Sequence, residues 1–473
     1  IHSLGPYVKY KGITMNMIKD IQEFGAVSSD VLCGVNSTAY NDNTAAFSRA
    51  VDTLQKAGGG ILKVGRGIWQ TGPIQLFSNI TLELEEGCVL SFIPDPQKYK
   101  PVLTRWEGVV CYAMQSCIFA DGQTNITVRG RGIIDGTGDV WWDLLKKKKK
   151  QSGPVDEYEK QLASLNPGYE TQPGGGGGRN TQFLRPSLVQ FHSCTNVELE
   201  GVSLQNSPFW TLHPVFCKNL TIRNVTITNP STAPNTDGMD IDSCEDVIID
   251  SCRISVGDDG IAVKSGSGDD GIRVNRMSKN ILIKGCTVTS GHGGVVFGSE
   301  TAAGISHVTV EDCRFEGTDR GIRIKTRRKR GGDVHHLTFQ NLVMKQNLCP
   351  IALNMYYRCG SKGTEQELFS LQALPVESST PSVHDIYIEN ITSKGSKASA
   401  GFIAGLPEMP VKNLVIKNSY FSTNEQSSVS PSESDMYAGL PDTAVKSFRI
   451  LNAEDPVFEN VVIEGPEKDF IFE

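Results

Sequence analysis

The sequence has no apolar run long enough to cross a bilayer and no excess of positive charge. Its 46 lysine and arginine residues are outnumbered by 53 aspartate and glutamate residues, which gives a formal net charge of −7. A chain with this balance is not attracted as a whole to nucleic acid or to an anionic membrane, so we expect neither a nucleic-acid partner nor a membrane span. Any anionic partner must therefore meet a local basic site.

Disulfide and metal modules also lack support. The twelve cysteines are spread over 473 residues without the close, regular clustering that such modules need. Cys252, Cys286 and Cys313 instead fall in one column of an internal repeat, so we interpret them as buried thiols that pack as small apolar side chains. For Cys349 and Cys359 the residues leave open whether they form a disulfide.

Short strand-like runs, each preceded by a polar residue, recur along the chain. Starting at Val247, successive runs are 34, 27, 29, 49 and 28 residues apart, and Val197 and Leu220 extend the series upstream. Few helical patterns lie between them. Repeats of this length bury their apolar face only by stacking on one another, which is typical of a solenoid. The sequence therefore predicts an all-β fold, a right-handed parallel β-helix that forms one domain.

An end cap should cover the open apolar end of such a helix. Asn43-Thr44 is followed by Phe47, Ala50, Val51 and Leu54, which is the spacing of a short capped amphipathic helix. We expect an N-terminal segment and cap at about 1–60, β-helix coils at about 61–465, and loop insertions at about 143–182, 265–279 and 355–383.

A second series of runs, one in each coil, carries the candidate chemistry. The runs begin at Gly238, Gly260, Gly294, Gly321 and Pro350, and the second and fourth positions of each are apolar. Strand alternation points these positions into the core, so the third and fifth positions are expected to face solvent.

The residues just before these runs bring carboxyl groups together. Because neighbouring parallel strands lie about 4.8 Å apart, the register places Asp237 beside Asp259 and Asp258 beside His292. A single aspartate in a Gly-Asp-Asp-Gly turn is usually a turn former, and a lone histidine is usually structural. Crowding raises the pKa of at least one carboxyl group, as a general acid requires, while an ionised neighbour can activate water. Paired carboxyl groups of this kind are the equipment of glycoside hydrolysis.

Two cations fall on the same sheet. Arg323 and Lys325 lie two coils from Asp259 in the aligned register. An Arg-Ile-Lys segment alone is usually a solvated strand face. Beside a carboxylate cluster, the pair is instead suited to hold an anionic sugar.

Four segments resemble the motifs of the polygalacturonases, glycoside hydrolase family 28. In chain order they are Asn235-Thr236-Asp237, Gly257-Asp258-Asp259, Gly291-His292-Gly293 and Arg323-Ile324-Lys325. The resemblance covers most of the chain. It implies a parallel β-helix that hydrolyses α-1,4-linked galacturonate with inversion of configuration and without a metal or other cofactor.

The resemblance also implies a role for each catalytic position. Asp258 is similar to the general acid that protonates the leaving oxygen. Asp237 and Asp259 are similar to the pair that positions and deprotonates water. His292 would support the protonation state of the acid.

On the substrate side, the resemblance implies that Arg323 and Lys325 clamp the galacturonate carboxylate. Tyr357 aligns with a tyrosine that packs on the sugar, with Tyr356 as its competitor for that place. His213 lies one coil earlier and is expected to face the same side of the sheet as these residues, where it could line a subsite.

Some features point to the mode of action. The stretch Gly293–Glu300 and the basic segment Arg327–Gly332 look more like bacterial exo-acting members than fungal or plant endo-enzymes. The three insertions are also placed to close one end of an otherwise open groove. We therefore expect release of galacturonate from the non-reducing end.

Other functions remain possible from the residues. Within enzymes they are an endo-polygalacturonase and a hydrolase of rhamnogalacturonan or substituted galacturonan. A β-eliminating pectate lyase would need a calcium cluster and an arginine base. A β-helix adhesin or carbohydrate-binding module would have no use for the carboxylate strip.

The substrate predicts the compartment. Polymeric pectin cannot enter a cell, so we expect an extracellular or periplasmic protein, with a cytoplasmic one possible if it acts on imported oligomers. The chain as given shows no basic and apolar leader at Ile1, so any signal peptide is expected to have been removed or never to have existed.

Overall fold

The computed structural model describes residues 17–34, 39–151, 153–154, 156–171, 185–361, 365–435, 446–465 and 470–472. These residues contain five α-helices: α1 (Thr44–Lys56), α2 (Gly138–Lys148), α3 (Glu157–Ser164), α4 (Gly268–Val274) and α5 (Gln366–Phe369). Short 3-10 turns cover Ile21–Phe24, Pro96–Lys98, Tyr169–Thr171 and Pro431–Ser434. No helix among the described residues is both long and apolar enough to cross a membrane.

Strands make up most of the fold. The first fourteen are β1 (Ile18–Asp20), β2 (Gly60–Val64), β3 (Gly67–Thr71), β4 (Ile74–Gln75), β5 (Ile80–Leu84), β6 (Cys88–Phe92), β7 (Pro101–Trp106), β8 (Val109–Met114), β9 (Ile118–Asp121), β10 (Thr124–Gly130), β11 (Ile133–Asp135), β12 (Val189–His192), β13 (Thr195–Glu200) and β14 (Ser203–Gln205). The next thirteen are β15 (Leu212–Val215), β16 (Lys218–Arg223), β17 (Thr226–Thr228), β18 (Met239–Asp242), β19 (Glu245–Asp250), β20 (Arg253–Ser255), β21 (Asp259–Lys264), β22 (Ser278–Lys284), β23 (Thr287–Ser290), β24 (Gly293–Gly298), β25 (Ile305–Glu311), β26 (Arg314–Glu316) and β27 (Arg320–Lys325). The last nine are β28 (Asp333–Lys345), β29 (Cys349–Asn354), β30 (Ser382–Ser396), β31 (Gly401–Ala404), β32 (Val411–Thr423), β33 (Phe448–Leu451), β34 (Ala453–Glu454), β35 (Val457–Glu464) and β36 (Phe470–Phe472).

The strands stack coil upon coil in parallel register. One hydrogen-bonded network holds 22 strands, and a second sheet holds twelve in the order β36-β33-β31-β29-β27-β24-β21-β18-β15-β12-β9-β4. Each strand of the second sheet pairs with the strand of the adjacent coil, and β7 and β8 alone form an antiparallel hairpin among the described strands. The predicted all-β parallel β-helix is therefore confirmed.

The polar residue before each strand run has a conformational reason. Asn125, Asn196 and Asn219 all have φ near +57°, a left-handed conformation that asparagine tolerates better than most residues. Their side chains also bond along the stack: Asn196 Nδ2 donates to Asn125 Oδ1 at 2.9 Å, and Asn219 Nδ2 donates to Asn196 Oδ1 at 2.7 Å. The asparagines thus form a ladder that keeps successive coils in register.

The predicted cap is present. Helix α1 buries Phe47, Ala50, Val51 and Leu54 against the end of the core. Asn43 precedes the helix but makes no capping bond with its side chain. Its Oδ1 accepts from Val27 N at 2.7 Å instead, so it anchors the N-terminal segment.

A single apolar cluster fills the stack, from Ile21 beneath the cap to Ile463 in the last coil. The three stacked thiols, Cys252, Cys286 and Cys313, are buried in it as predicted. All twelve cysteines are free, which answers the open question about Cys349 and Cys359.

The insertions are not plain loops. The first contains the end of α2 and all of α3, the second contains α4, and the third contains α5. Polar lysine and glutamate residues in the first insertion pair with each other, as in the buried Lys148–Glu159 bridge, and so support helices where the composition suggested a loop. Residues 172–182 of the first insertion lie outside the described residues.

Candidate active site

The register of the second sheet brings the predicted site residues together. Met239 pairs with Ile261, so Asp237 lies opposite Asp259, and Asp259 itself pairs with Gly293. Two strands further on, Arg323 pairs with Val296 and Ala352. The columns deduced from the sequence are therefore the columns of the sheet.

We call the surface formed by Asp237, Asp258, Asp259, His292, Arg323 and Lys325 the catalytic strip. His292 and Asp258 form a hydrogen-bonded pair at its more exposed side. His292 Nδ1 lies 3.0 Å from Asp258 Oδ1, and the backbone N–H of His292 donates to the carbonyl of Asp258 at 2.8 Å. This close approach explains why position 291 is a glycine. Gly291 has φ +146°, and a Cβ there would lie 2.5 Å from the Asp258 carbonyl oxygen. The bond to Asp258 raises the pKa of His292.

Asp259 is the ionised carboxylate of the group. Its Oδ2 lies 2.5 Å from Lys325 Nζ, and its Oδ1 lies 3.5 Å from Arg323 Nη1. Burial alone would raise the pKa of Asp259, but the charges of Lys325 and Arg323 outweigh that effect and hold the pKa well below its ordinary value.

Asp237 lies in the opposite environment. Its side chain is buried, and burial, together with the neighbouring carboxyl groups of Asp240 and Asp258, raises its pKa well above the ordinary value. Among the described residues its Oδ1 has no hydrogen-bond partner, so that oxygen is available to a bound water or substrate. Two adjacent carboxyl groups, Asp237 and Asp259, are thus driven apart in pKa.

Lys264, which was not among the predicted site residues, contacts the carboxyl groups of this site. Its Nζ lies 2.9 Å from Glu300 Oε2, 3.4 Å from Asp240 Oδ1 and 4.0 Å from Asp237 Oδ2. Burial raises the pKa of Asp240 to about 8, although the charge of Lys264 opposes the change. The signal was present in the sequence, since Lys264 occupies the same aligned column as Lys325.

The structure separates the two tyrosines. Tyr357 is nearly buried beside the two cations, with Arg323 Cζ 5.4 Å and Lys325 Nζ 5.3 Å from its ring centre. Tyr356 is fully buried in the core beneath Arg328. Burial raises the pKa of Tyr357 to about 12, so its hydroxyl remains protonated at neutral pH.

A carboxylate from the C-terminal part of the chain also contacts Arg323. Asp435 Oδ1 lies 2.8 Å from Arg323 Nη2. Arg320 holds this segment in place, because it donates to the carbonyls of Ser434 and Glu433, each at 2.9 Å. No periodic signal in the sequence could have placed Asp435, since it lies 112 residues from Arg323.

Arg185 secures the first motif and was also missed. It is buried and donates to Asn235 Oδ1 and to the Pro234 carbonyl, both at 2.9 Å. Burial lowers its pKa to about 10. Thr236 connects this turn to the next one, because its Oγ1 accepts from Gly257 N at 3.3 Å.

The outward-facing columns are buried, which contradicts the solvent exposure expected for them. The β7–β8 hairpin covers one end of them: Arg105 Nη1 forms a 2.7 Å bridge with Asp242 Oδ1, and both side chains are fully buried. Trp106 stacks on Phe209, which stacks on Trp210. Strand alternation gave the direction of the side chains correctly but could not reveal a covering hairpin from a distant part of the chain.

His213 illustrates the same effect. It faces outward in the predicted register, but it is 1% exposed. Its Nδ1 lies 2.9 Å from Gln190 Nε2, its Nε2 lies 3.6 Å from Asp242 Oδ2, and its ring meets Trp210 edge-on. The prediction that His213 lines a subsite is wrong, because Trp210 and the hairpin cover it.

The basic segment after the clamp connects the insertions. Arg330 donates to Ser267 Oγ at 3.4 Å, to the Ser299 carbonyl at 3.3 Å and to the Cys359 carbonyl at 3.0 Å. Arg328 forms a buried pair with Glu408. These side chains therefore fix the walls beside the strip.

The only group of three metal-ligating atoms within 4.8 Å of one another in the described residues is that of Asp258, Asp259 and His292. Asp259 is already bound by Lys325 and Arg323. Two cations at this carboxylate disfavour a divalent ion there, because like charges repel strongly in a buried site. The arrangement is better suited to proton transfer and to the binding of an anion.

Comparison with known proteins identifies one family. Residues 172–435 match the family described as Glycosyl hydrolases family 28. The chain is 30% identical over 387 residues to a probable polygalacturonase of Vitis vinifera, covering 80% of this chain and 70% of the relative. It is 32% identical over 331 residues to an endo-polygalacturonase of Pectobacterium carotovorum subsp. carotovorum, covering 66% and 73%.

Among solved structures, the chain resembles a hyperthermoactive exopolygalacturonase from Thermotoga maritima with a TM-score of 0.76 and 30% identity, covering 96% of this chain and 93% of that one. A family 28 exopolygalacturonase of Yersinia enterocolitica, 19% identical with a TM-score of 0.73 and 97% and 77% coverage, shares the fold. The right-handed winding predicted from the sequence is that of these β-helices. The chain belongs to glycosyl hydrolase family 28.

Proposed function

We propose that this protein hydrolyses α-1,4-glycosidic bonds of polygalacturonate and oligogalacturonate, with inversion, by releasing galacturonate from the non-reducing end. One observation carries the proposal: a proton-holding His292–Asp258 pair and an ionised Asp259 lie on the same strip as an arginine, a lysine and a tyrosine. The His292–Asp258 pair and Asp259 supply the acid and the base. The arginine and lysine can bind the carboxylate of a sugar, with the tyrosine beside them.

Asp258 is the general acid in this proposal. The raised pKa of His292 means that the pair retains a proton above pH 6.5, the ordinary value for histidine. Asp258 receives that proton from His292 and passes it to the glycosidic oxygen as the bond to the leaving sugar breaks. His292 is 48% exposed, so it can regain its proton from solvent after each turnover.

Asp259 and Asp237 act on the attacking water. Asp259 accepts the proton of the water because its low pKa keeps it ionised. We expect Asp237 to bind the water through its Oδ1, which has no hydrogen-bond partner among the described residues. Attack by this water on the side of the sugar opposite the leaving oxygen would invert the anomeric centre.

Arg323, Lys325 and Tyr357 bind the galacturonate in the cleavage subsite. Arg323 Nε is buried and has no hydrogen-bond partner among the described residues, and we expect it to donate to the substrate carboxylate. Tyr357 lies beside both cations and offers an aromatic face to the sugar ring. A cationic pair inside a protein of net charge −7 predicts local, salt-sensitive binding of the polyanion.

The proposed exo action depends on the segments that surround the strip, in particular the β7–β8 hairpin and α4. The β7–β8 hairpin contacts α4 through a 2.9 Å bond from Val110 N to Asp270 Oδ2 and through a 2.9 Å bond from Ser267 N to the Gly108 carbonyl. The similarity to the Thermotoga maritima exopolygalacturonase over nearly the whole chain also supports exo action. An extracellular or periplasmic location follows from a polymeric substrate.

The experiment is product analysis on polygalacturonate and on a reduced oligogalacturonate of defined length. We expect galacturonate as the early product, a slow fall in viscosity, and release of the β-anomer first in a proton NMR time course. A spread of medium-sized oligomers with a rapid fall in viscosity would establish an endo-enzyme, as in the Pectobacterium relative. Activity on rhamnogalacturonan but not on polygalacturonate would favour the alternative substrate class.

A further inference from the structure

The contact between Arg323 and Asp435 has no part in the proposed reaction, although Arg323 belongs to the substrate clamp. Asp435 Oδ1 lies 2.8 Å from Arg323 Nη2, and both side chains are almost completely buried. On the other side of the guanidinium group, Arg323 Nη1 lies 3.5 Å from Asp259 Oδ1. Arg323 is therefore held between two carboxylates of the protein itself.

The charges of the clamp are balanced within the protein. Arg323 and Lys325 are positive, and their partners Asp259 and Asp435 are negative. Burial alone would lower the pKa of Arg323, but the charge of Asp435, more than that of Asp259, raises it. Because solvent and salt screen buried charges only weakly, Asp435 offsets part of the attraction of the clamp for an anion.

The segment that carries Asp435 is firmly docked. Asp435 follows the short 3-10 turn Pro431–Ser434, and Arg320 donates to the carbonyls of the last two residues of this turn, each at 2.9 Å. Ser434 Oγ also lies 2.6 Å from Ser399 Oγ, just before β31. These contacts fix the backbone beside Asp435, so its carboxylate is presented to the clamp by a built structure.

Arg320 offers Asp435 a second positive charge. Arg320 Nε lies 3.7 Å from Asp435 Oδ1, compared with 2.8 Å for Arg323 Nη2. A substrate carboxylate that replaces Asp435 at Arg323 thus leaves Asp435 beside another cation. Such an exchange keeps the number of charge-assisted hydrogen bonds constant, so the substrate gains less than it would at an arginine without a carboxylate partner.

We propose that Asp435 is a specificity-determining residue that competes with the sugar carboxylate for Arg323. The inference rests on the proposed function, in which Arg323 and Lys325 bind the carboxylate of galacturonate. The competition limits how strongly the site prefers ionised galacturonate over its methyl ester, which carries no charge. It also limits how tightly galacturonate, the expected product, is retained.

The test is calorimetric titration of the full chain with galacturonate and with its methyl ester at low ionic strength. Asp435→Asn keeps an oxygen that can accept from Arg323 Nη2 but removes the negative charge. We expect this variant to bind galacturonate about tenfold more tightly than the unaltered protein does. Its affinity for the uncharged ester should not change. Asp435→Glu, which keeps the charge, should not tighten the binding of galacturonate.

Glu433→Gln is the matched control, because it removes the same charge from the same turn at an exposed side chain. It should bind galacturonate as the unaltered protein does, and circular dichroism checks that each variant folds. Unchanged or weaker binding of galacturonate by a folded Asp435→Asn protein would overturn the inference. Equal tightening in Glu433→Gln would overturn it as well.

A measurement on the unaltered protein covers the case in which Asp435→Asn does not fold. We expect kcat/KM for digalacturonate to exceed that for its methyl ester by less than about 30-fold, the lower end of the effect of losing one partner from a buried charge pair. A larger preference would contradict the competition.

The inference and the proposed function fail in different ways. A protein that hydrolyses polygalacturonate but does not show these effects would refute the role of Asp435 alone. A protein that does not hydrolyse polygalacturonate would refute the proposed function, and the role of Asp435 with it.

Discussion

Lys325 Nζ lies 2.5 Å from Asp259 Oδ2, and both side chains are buried. A buried ion pair of this kind couples the substrate clamp to the carboxylate proposed as base. Removing the lysine changes not only the binding of an anion but also the proton affinity of Asp259.

Lys325→Met should move the acidic limb of the pH–rate profile to higher pH. Asp259 must be ionised to accept a proton, and Lys325 holds its pKa below the ordinary value, so activity is lost only at low pH. Without the lysine the pKa of Asp259 rises and the loss occurs at higher pH. The profile of kcat/KM measures this shift, with circular dichroism as a check on folding because breaking a buried pair costs about 3–5 kcal/mol.

Lys329→Met is the matched control for that variant. Lys329 is half exposed and pairs with Glu367 at the surface. Its replacement should leave the profile unchanged. An acidic limb that stays in place in Lys325→Met would refute the coupling.

His292→Gln should move the alkaline limb to lower pH. His292 has a raised pKa, so the pair with Asp258 keeps its proton until the pH passes above 6.5. The variant lacks the imidazole that holds this proton, so the active, protonated form of the pair should be lost at a lower pH. The lost bond to a charged partner is worth about 1.5–3 kcal/mol, which lowers kcat roughly 10- to 100-fold.

A second histidine–aspartate pair provides the control. His192 Nδ1 lies 2.6 Å from Asp121 Oδ1 on the last strand residues of β12 and β9. His192→Gln should change neither kcat nor the pH profile. The role of His292 is wrong if the alkaline limbs of the His292→Gln variant and the unaltered protein coincide.

Arg105→Met should loosen the hairpin and lengthen the products. Arg105 is bound to both Asp242 and Ser243 at 2.7 Å, and these bonds hold β7 over the strip. We expect oligomers larger than galacturonate among the early products, measured by anion-exchange chromatography. Leu103→Ala, an exposed change on the same strand, should keep the product pattern. Unchanged products from Arg105→Met would show that the hairpin does not determine exo action.

A reductant should leave the melting temperature unchanged. All twelve cysteines are free, and several of their thiols donate to backbone carbonyls, as in the 3.3 Å contact from Cys286 Sγ to the Lys284 carbonyl. Differential scanning fluorimetry with and without dithiothreitol measures this. A clear decrease in the presence of dithiothreitol would reveal a disulfide.

The features that depend on the repeat could be predicted from the sequence. The fold, the cap and the columns that join Asp237 to Asp259 and Asp258 to His292 followed from a fixed period and from strand alternation. Contacts made by insertions carry no such period. Arg105 reaches Asp242 across 137 residues, and this contact buries side chains that alternation alone would leave in solvent.

Histidines 307, 335, 336 and 384 show a second limit. Each lies within a strand, and their ring contacts arise only when three coils are stacked. Lys264 is an intermediate case, since its column was correctly aligned but its contact with Glu300 depends on how the chain turns after β24.

The most direct test of the proposed mechanism is the hydrolysis rate of Asp258→Asn on oligogalacturonate. The amide keeps the shape of Asp258 but supplies no acidic proton, so we expect kcat to fall by at least about 10²–10⁴. Asp143→Asn, at an exposed position paired with Lys146, should retain the full rate. An Asp258→Asn protein that folds and still hydrolyses oligogalacturonate at the unaltered rate would contradict the assignment of Asp258 as the general acid.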